Sequence, residues 1–194
     1  MKTRTDLLEF IISEKKPKKY LEIGIQQGFN FDTIKVPYKV GVEPFPRRVQ
    51  DNVLTLKSDD FFKSDNPEYK GFDLIFIDGL HTEDQTWRDL LNSLDRLNHG
   101  GIIVMHDALP HNLKYTTMSW CGTSYKAIMK AAQTPGLIVK TWEQDHGCAV
   151  IVKESKNDLY VSTITTDFED LWKDNAAIVG KSNTEEIINF IKSL

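Results

Sequence analysis

A glycine-containing turn followed by a distant carboxylate is the first pattern in the sequence that predicts chemistry. Gly24 and Gly28 follow a short apolar run that contains Glu22, and Glu43 comes about 20 residues after Glu22. Glycines in such a turn let a ligand approach the backbone, and the later carboxylate accepts hydrogen bonds from ribose hydroxyls. This spacing predicts a nucleoside site, with an ordinary strand-to-helix turn as the alternative.

The residues around the glycines indicate which nucleoside fits. Gln26 and Phe29 stand where a dinucleotide fingerprint has its second and third glycines. A glutamine side chain obstructs a pyrophosphate, and the Glu22 carboxylate repels phosphate. The sequence also contains no G-x-x-x-x-G-K-[ST] phosphate loop. The turn therefore favours S-adenosylmethionine, a cationic nucleoside, over NAD or ATP.

A second group of polar side chains follows two strongly apolar runs. Asp78 and His81 come after one run, and His106 and Asp107 come after the next. A histidine with an ordinary pKa near 6.5 can accept a proton from a hydroxyl during attack, which makes His81 a candidate general base. The alternatives are structural, with His106 orienting Asp107 and His81 lying in a loop before a helix.

The apolar runs predict the elements that position these residues. Residues 72–77 and 102–105 are nearly continuous apolar runs, which are typical of parallel strands buried on both faces. Because ligands bind outside the carboxyl ends of such strands, both polar groups are expected at one edge of the sheet. Further strands are predicted at 20–23, 38–42 and 53–56.

Helical periodicity is clearest between the two apolar runs. Apolar residues from Trp87 to Leu97 repeat on one helix face, residues 82–85 predict a capping box, and the glycines at 100–101 predict the helix end. Shorter helices are predicted around residues 6–13 and 125–129.

The C-terminal part of the chain predicts a hairpin and more helices. The runs 137–142 and 148–152 flank a turn at 145–147, and two helices are expected after Asp167. We therefore predict a doubly wound α/β fold with a mostly parallel seven-stranded sheet and a C-terminal antiparallel hairpin. The single domain spans 1–194, with an N-terminal helix in 1–16 and a helical extension in 155–194.

The composition excludes several classes of protein. The chain has 194 residues, 24 basic and 28 acidic, with a net charge of −4, and 40% of the residues are apolar. These values are typical of one globular domain and argue against a nucleic-acid partner. No apolar stretch reaches the roughly 20 residues that cross a bilayer, and the start lacks a signal peptide, so we expect no membrane partner and a cytoplasmic location. Cys121 and Cys148 form neither a disulfide framework nor a zinc motif.

Five segments together resemble those of a known enzyme family. They are 58–62 (SDDFF), 72–81 (FDLIFIDGLH), 100–107 (GGIIVMHD), 120–126 (WCGTSYK) and 145–151 (DHGCAVI). With these motifs the sequence resembles the class I, Rossmann-like, S-adenosylmethionine-dependent methyltransferases. More narrowly, it resembles a small branch related to metal-dependent sugar O-methyltransferases. The resemblance covers nearly the whole chain, and the I-D-G-x-H and H-D motifs are its most specific parts.

The resemblance implies roles at a cofactor site for S-adenosylmethionine. Glu22, Gly24 and Gly28 would hold the methionine end, and Glu43 would bind the ribose. Ser58 and Asp59 would border the adenine, with helix N-capping as their alternative role. Asp78 would lie at the same site.

The resemblance also implies catalytic residues and a divalent cation. Asp78 and His81 match a metal-binding aspartate and a general-base histidine, so both are predicted to be catalytic. Asp78, His106 and Asp107 would hold the cation, which we expect to be Mg or Mn. A histidine at position 106 departs from an all-oxygen pattern, since imidazole prefers softer metals than magnesium.

The sequence leaves the acceptor and the oligomeric state open. The aromatic side chains of His111, Tyr115, Trp120 and Tyr125 follow the fifth strand and are able to stack on a sugar ring, or else pack a lid on the core. The predicted function is methylation of a small-molecule or glycan hydroxyl, and a homo-oligomer is compatible with the chain. The alternatives are a non-catalytic S-adenosylmethionine-binding module and a nucleotide-dependent oxidoreductase.

Overall fold

A mixed sheet forms the centre of the molecule. The computed structural model describes residues 1–48, 50–154 and 178–194. In these residues eight strands lie in the order β3-β2-β1-β4-β5-β7-β6-β8. The strands are β1 (Lys19–Ile23), β2 (Tyr38–Val42), β3 (Val53–Leu54), β4 (Phe72–Ile77), β5 (Leu97–Met105), β6 (Leu137–Trp142), β7 (Cys148–Lys153) and β8 (Lys181–Ser182).

Helices cover both faces of this sheet. They are α1 (Arg4–Lys15), α2 (Phe29–Thr33), α3 (Ser58–Phe62), α4 (Glu83–Arg96), α5 (Ser124–Ala132) and α6 (Thr184–Ser193), with 3-10 turns at Pro67–Tyr69 and Leu113–Thr116. The apolar side chains of α1, α2 and α6 form one core cluster with one face of the sheet. Those of α3, α4 and α5 form a second cluster with the other face. This arrangement confirms the predicted doubly wound α/β class.

The strand pairing follows the predicted pattern with one addition. Neighbouring strands from β3 to β5 are parallel, and β7 runs antiparallel to both β5 and β6. The prediction of seven strands was one too few, because β8 adds to β6 in parallel. This strand is only two residues long, so it has no hydrophobic periodicity to reveal it.

The ends of several helices differ from the predictions. Thr82 caps α4 by accepting a hydrogen bond from the Gln85 backbone N–H at 3.4 Å, but the Gln85 side chain contacts other residues instead of completing a capping box. The helix ends at Arg96 and passes directly into β5, so the glycines at 100–101 do not end it. The first predicted tail helix lies largely outside the described residues, and the second is α6.

In the part of the chain that the structure describes, no helix is long and apolar enough to cross a membrane.

The register of the sheet determines which residues meet at its carboxyl edge. Ile23 of β1 pairs with Ile77 of β4, and Ile77 pairs with Met105 of β5. The residues that directly follow these three strands are therefore neighbours. Because β6 runs parallel to β5, the turn between β6 and β7 reaches the same edge. The candidate site lies here.

Candidate active site

Backbone contacts bring the ends of three strands together. The Asp78 N–H donates to the Ile23 carbonyl at 2.8 Å, and the His106 N–H donates to the Ile77 carbonyl at 3.0 Å. Gly24 has a φ of 85°, and a β-carbon at this position would lie 2.0 Å from the Asp78 carbonyl oxygen. Only glycine tolerates both conditions. The first turn and the Asp78 loop are therefore packed directly against each other.

Asp78, His81 and Asp107 converge at this edge. The Nε2 atom of His81 lies 3.4 Å from Oδ1 of Asp78 and 3.3 Å from Oδ2 of Asp107. One ligand atom from each residue lies within 4.8 Å of the others. The Nδ1 atom of His81 contacts the carbonyl oxygen of Trp120. Since a carbonyl only accepts, Nδ1 carries the proton, and Nε2 faces the two carboxylates.

The charges around His81 favour its protonated form. Its hydrogen bond with Asp78 raises the pKa of His81 against the effect of burial, and the charge of Asp107 raises it further. Burial raises the pKa of Asp78, but the charges and hydrogen bonds of His106, His81 and Arg4 lower it more, so this carboxylate is ionised. The centre formed by Asp78, His81 and Asp107 therefore holds fixed negative charge next to an ionisable imidazole.

His106 lies beside this group. Its Nδ1 is 3.4 Å from Oδ1 of Asp78 and 3.3 Å from Oδ1 of Asp107, and its Nε2 is 2.7 Å from the carbonyl oxygen of Asp145. Burial lowers the pKa of His106, and the three nearby carboxylates raise it more. Asp107 itself has a φ of 60°, a left-handed conformation that is uncommon for residues with a side chain. The strand end is thus bent so that Asp107 reaches both histidines.

Two residues of the centre were missed by the sequence analysis. Nη1 of Arg4 lies 2.8 Å from Oδ2 of Asp78 and 2.8 Å from Nδ1 of His106. The Arg4 backbone N–H donates to Oδ2 of Asp145 at 2.6 Å. Burial raises the pKa of Asp145, but its hydrogen bonds to His106 and Arg4 lower it to about 2. A guanidinium only donates hydrogen bonds, so this contact favours the form of His106 in which Nδ1 carries no proton.

Glu22 is buried within the sheet next to the first turn. It is 1% exposed, and its Oε2 accepts hydrogen bonds from the Tyr20 hydroxyl at 2.6 Å and the Asn30 amide at 3.0 Å. Burial raises the pKa of Glu22 to about 7, although both hydrogen bonds lower it. In this arrangement Glu22 ties β1 to the start of α2.

Glu43 organises the first turn from the end of β2. Its Oε2 accepts from the backbone N–H groups of Ile25 and Gln26 at 3.1 and 2.9 Å, and its Oε1 accepts from Phe45 N–H at 3.0 Å. Oε2 uses both of its lone pairs in these bonds, and Oε1 keeps one lone pair for a ligand hydroxyl. Glu43 therefore lies next to the glycine turn, as the nucleoside prediction requires.

Ser58 and Asp59 belong to a polar cluster between α3 and α4. The amide nitrogen of Gln85 lies 3.2 Å from the Ser58 hydroxyl and 3.0 Å from Oδ1 of both Asp59 and Asp89. Lys57 is the N-cap residue of α3, and no side chain caps this helix, so the capping alternative for Ser58 and Asp59 is wrong. Burial raises the pKa of Asp89 to about 6. The sequence predicted Gln85 only as part of the capping box, and Asp89 had no sequence signal apart from its place on α4.

Aromatic rings form a cluster beside the centre. Tyr115 lies with its ring centroid 4.9 Å from Trp120 and 5.3 Å from His111 and from His146. His146, which the sequence analysis interpreted as structural, joins these rings, and its ring is also 6.5 Å from that of His106. Tyr125 is separate, since it is 3% exposed and packs in the core with α4 and α5.

Comparisons with known proteins show which family model and which solved structures the chain resembles. Residues 24–108 match a family model described as a methyltransferase domain. No curated protein sequence matches the chain. Among solved structures, the Podospora anserina methyltransferase PaMTH1 bound to S-adenosylhomocysteine (SAH) is 20% identical, with a TM-score of 0.60 and 80% of each chain covered.

Two bacterial enzymes show the same likeness in fold. The O-methyltransferase TomG from Streptomyces achromogenes is 13% identical, with a TM-score of 0.55 covering 78% of this chain and 80% of that one. The O-methyltransferase from Bacillus cereus in complex with SAH is 14% identical, with a TM-score of 0.53 covering 77% and 80%. The family-model match includes the first turn and the Asp78 and Asp107 strand ends, and these solved methyltransferases share the fold of the chain.

Proposed function

We propose that the protein methylates a hydroxyl group of a small acceptor. The observation that carries the proposal is the convergence of Asp78, His81 and Asp107 at the edge where the glycine turn lies. A hydroxyl is a weak nucleophile until its proton is removed, and this group supplies a base with flanking carboxylates. The neighbours named as O-methyltransferases support the same reaction class.

On the cofactor side, we assign the first turn to the methionine end and Glu43 to the ribose. Gly24 and Gly28 both have positive φ, which keeps the turn open to a ligand. Oε1 of Glu43 has a lone pair left for a ribose hydroxyl. Ser58 and Asp59 border the adenine, and Glu22 holds the turn in place through Asn30. When bound, S-adenosylmethionine supplies a methyl group activated by its sulfonium, so the protein has to align rather than activate it.

His81 is the residue that we assign to the acceptor proton. Trp120 holds Nδ1, so that Nε2 faces the position where Asp78 and Asp107 converge. When Nε2 takes the proton, the imidazolium that results lies against both carboxylates and is stabilised by them. Alignment of the acceptor contributes further, since positioning alone is worth roughly 7–11 kcal/mol in well-oriented reactions.

The two carboxylates of this group also suit a divalent cation. Asp78 and Asp107 offer oxygen ligands, and Nε2 of His81 stays available for the acceptor proton, since its single lone pair cannot bind both the ion and the proton. Arg4 occupies Oδ2 of Asp78 and leaves Oδ1 for the ion. His106 lies beside both carboxylates, with Nε2 bonded to the Asp145 carbonyl and Nδ1 next to Arg4, so it helps to position them. A bound Mg or Mn ion would orient the acceptor hydroxyl and lower its pKa.

For the acceptor, we assign the aromatic cluster of His111, Tyr115, Trp120 and His146. Trp120 is 44% exposed, so its face is accessible to a ring-shaped ligand. Burial lowers the pKa of His146, which keeps that imidazole neutral beside the other rings. Aromatic rings that are accessible in this way favour a sugar or another small cyclic molecule over a highly charged acceptor.

Two measurements test the proposed function. Calorimetry with S-adenosylmethionine, SAH and NAD should show binding of the first two ligands, whereas binding of NAD alone would indicate the oxidoreductase alternative. Methyl release to a panel of sugars and small alcohols, with and without a chelator, should then show turnover. Tight cofactor binding without turnover on any hydroxylated acceptor would favour a non-catalytic binding module.

A further inference from the structure

The carboxyl edge of the sheet carries an excess of negative charge. Glu43, Asp78, Asp107 and Asp145 all lie there, and the last three lie around His106. Such a surface attracts the sulfonium and the amino group of S-adenosylmethionine. It also repels the α-carboxylate at the end of the same molecule. A cofactor that binds at this edge therefore needs a cation for its carboxylate.

Arg4 supplies a cation in the right environment. Its side chain is 35% exposed and is held by Asp78 and by Asp145, whose Oδ2 lies 3.6 Å from Nε. Among the described residues, every hydrogen bond of the guanidinium uses Nη1. The N–H groups of Nη2 remain for a ligand, and the rigid planar group matches the geometry of a carboxylate.

The position of Arg4 relates it to the cofactor rather than to the acceptor. The next residue, Thr5, donates to Oδ1 of Asn30 at 2.9 Å, and Asn30 comes two positions after Gly28. On its other side Arg4 contacts Asp78, whose carbonyl oxygen packs against Gly24. Arg4 is therefore placed between the glycine turn and the Asp78 carboxylate, where we assign the methionine end.

A second arginine lies near the same turn but differs in its partners. Nη2 of Arg48 is in contact with Oδ2 of Asp32, and the side chain is 56% exposed. Asp32 already occupies Nη2 of Arg48, whereas Nη2 of Arg4 remains for a ligand, and water screens the charge of the more exposed Arg48. Arg48 is thus a matched control for Arg4.

We propose that Arg4 binds the α-carboxylate of S-adenosylmethionine through the N–H groups of Nη2. The inference rests on the proposed placement of the methionine end and adds a residue from the N-terminal helix to that site. Because charge-assisted hydrogen bonds are directional, Arg4 then selects a cofactor with an intact amino-acid end and aligns its sulfonium next to Asp78.

Calorimetry with two ligands tests this role. SAH has the α-carboxylate, whereas 5′-methylthioadenosine has the same nucleoside without the amino-acid end. Arg4→Gln should weaken SAH binding about 10- to 100-fold, the range for a hydrogen bond between charged groups, and leave 5′-methylthioadenosine binding within about twofold. Arg4→Lys, which keeps the charge, should give an intermediate loss. Arg48→Gln should change neither affinity.

Several results would overturn the assignment. An equal loss for both ligands in Arg4→Gln and Arg4→Lys would mean that Arg4 acts only by holding the fold, and unchanged SAH binding would mean that it does not touch the cofactor. A higher KM for the acceptor with unchanged SAH affinity would place the acceptor at Arg4 instead. Failure of the wild-type protein to bind either ligand would refute the cofactor site itself, which separates that failure from the failure of the Arg4 role.

Discussion

Gly24 and Asp78 are in contact through their backbones, although they lie on different strand ends. A β-carbon on Gly24 would lie 2.0 Å from the Asp78 carbonyl oxygen and 2.7 Å from the α-carbon of Gly79. The glycine that suggested a nucleoside turn is therefore also required by the neighbouring loop. The position of the first turn and the position of the Asp78 loop are set by the same contact.

Gly24→Ala should therefore destabilise the protein and displace Asp78. We expect a loss of about 3 kcal/mol in the free energy of unfolding, from the left-handed backbone and from the overlap with the Asp78 carbonyl. Gly100→Ala is the control, since Gly100 has a similar φ of 75° but nothing within 4 Å of its β-carbon position. This variant should lose only about 1 kcal/mol. Urea unfolding measures both, and equal losses would contradict the packing explanation.

His81→Ala should reduce turnover and leave cofactor binding unchanged. A general base contributes about 10²- to 10⁴-fold, so kcat should fall within that range while the Kd for SAH stays within about twofold. His99→Ala, an exposed histidine at the start of β5 and at the opposite edge, is the control. Unaltered turnover in His81→Ala would remove this residue from the mechanism.

Asp107→Asn should weaken the binding of a divalent cation. The variant removes one charged ligand of the group formed by Asp78, His81 and Asp107, so we expect the affinity for Mn²⁺ to fall at least about 10-fold. Calorimetric titration of the apoprotein with Mn²⁺ measures this directly, without an assay of activity. Asp84→Asn, an exposed carboxylate in the first turn of α4, should have no effect. Equal affinity in Asp107→Asn and wild type would exclude the proposed site.

Glu22→Gln should change how stability depends on pH. The folded protein binds a proton at Glu22 up to a pKa of about 7, above the unfolded value, so this contribution to stability is complete at low pH and is lost as pH rises through 7. Wild type should therefore lose about 1 kcal/mol relative to Glu22→Gln between pH 6 and pH 8. Urea unfolding of both proteins at these two pH values gives the difference. A constant difference would show that Glu22 does not titrate in this range.

The sequence predicted the parts of the site that follow strongly patterned strands. β4 and β5 are continuous apolar runs, so their position and their parallel pairing could be predicted. Asp78 and His106 then had to be neighbours, because each directly follows its strand. The 3.3 Å approach of His81 to Asp107 could not be predicted, since it depends on the left-handed backbone of Asp107.

The remaining site residues differ in how far they were predictable. Asp145 lies in the predicted hairpin turn, and the direction of β6 places that turn at the carboxyl edge. Its position near the other site residues therefore follows from the topology of the sheet. Arg4 had no corresponding signal in the sequence. Its position depends on how Leu7, Leu8 and Ile11 of α1 pack on the sheet, and hydrophobic periodicity predicts a buried helix face without predicting where that helix docks.

The hydrogen bond between Arg4 and Asp145 spans 141 positions of the chain. In a nascent polypeptide Arg4 emerges well before the partner turn, because the segment from β1 to β6 is synthesised between them. The group of charged residues around His106 is consequently completed only after β6 has been synthesised. Prematurely terminated chains that stop before β6 should therefore be inactive, even though they contain Asp78, His81 and Asp107.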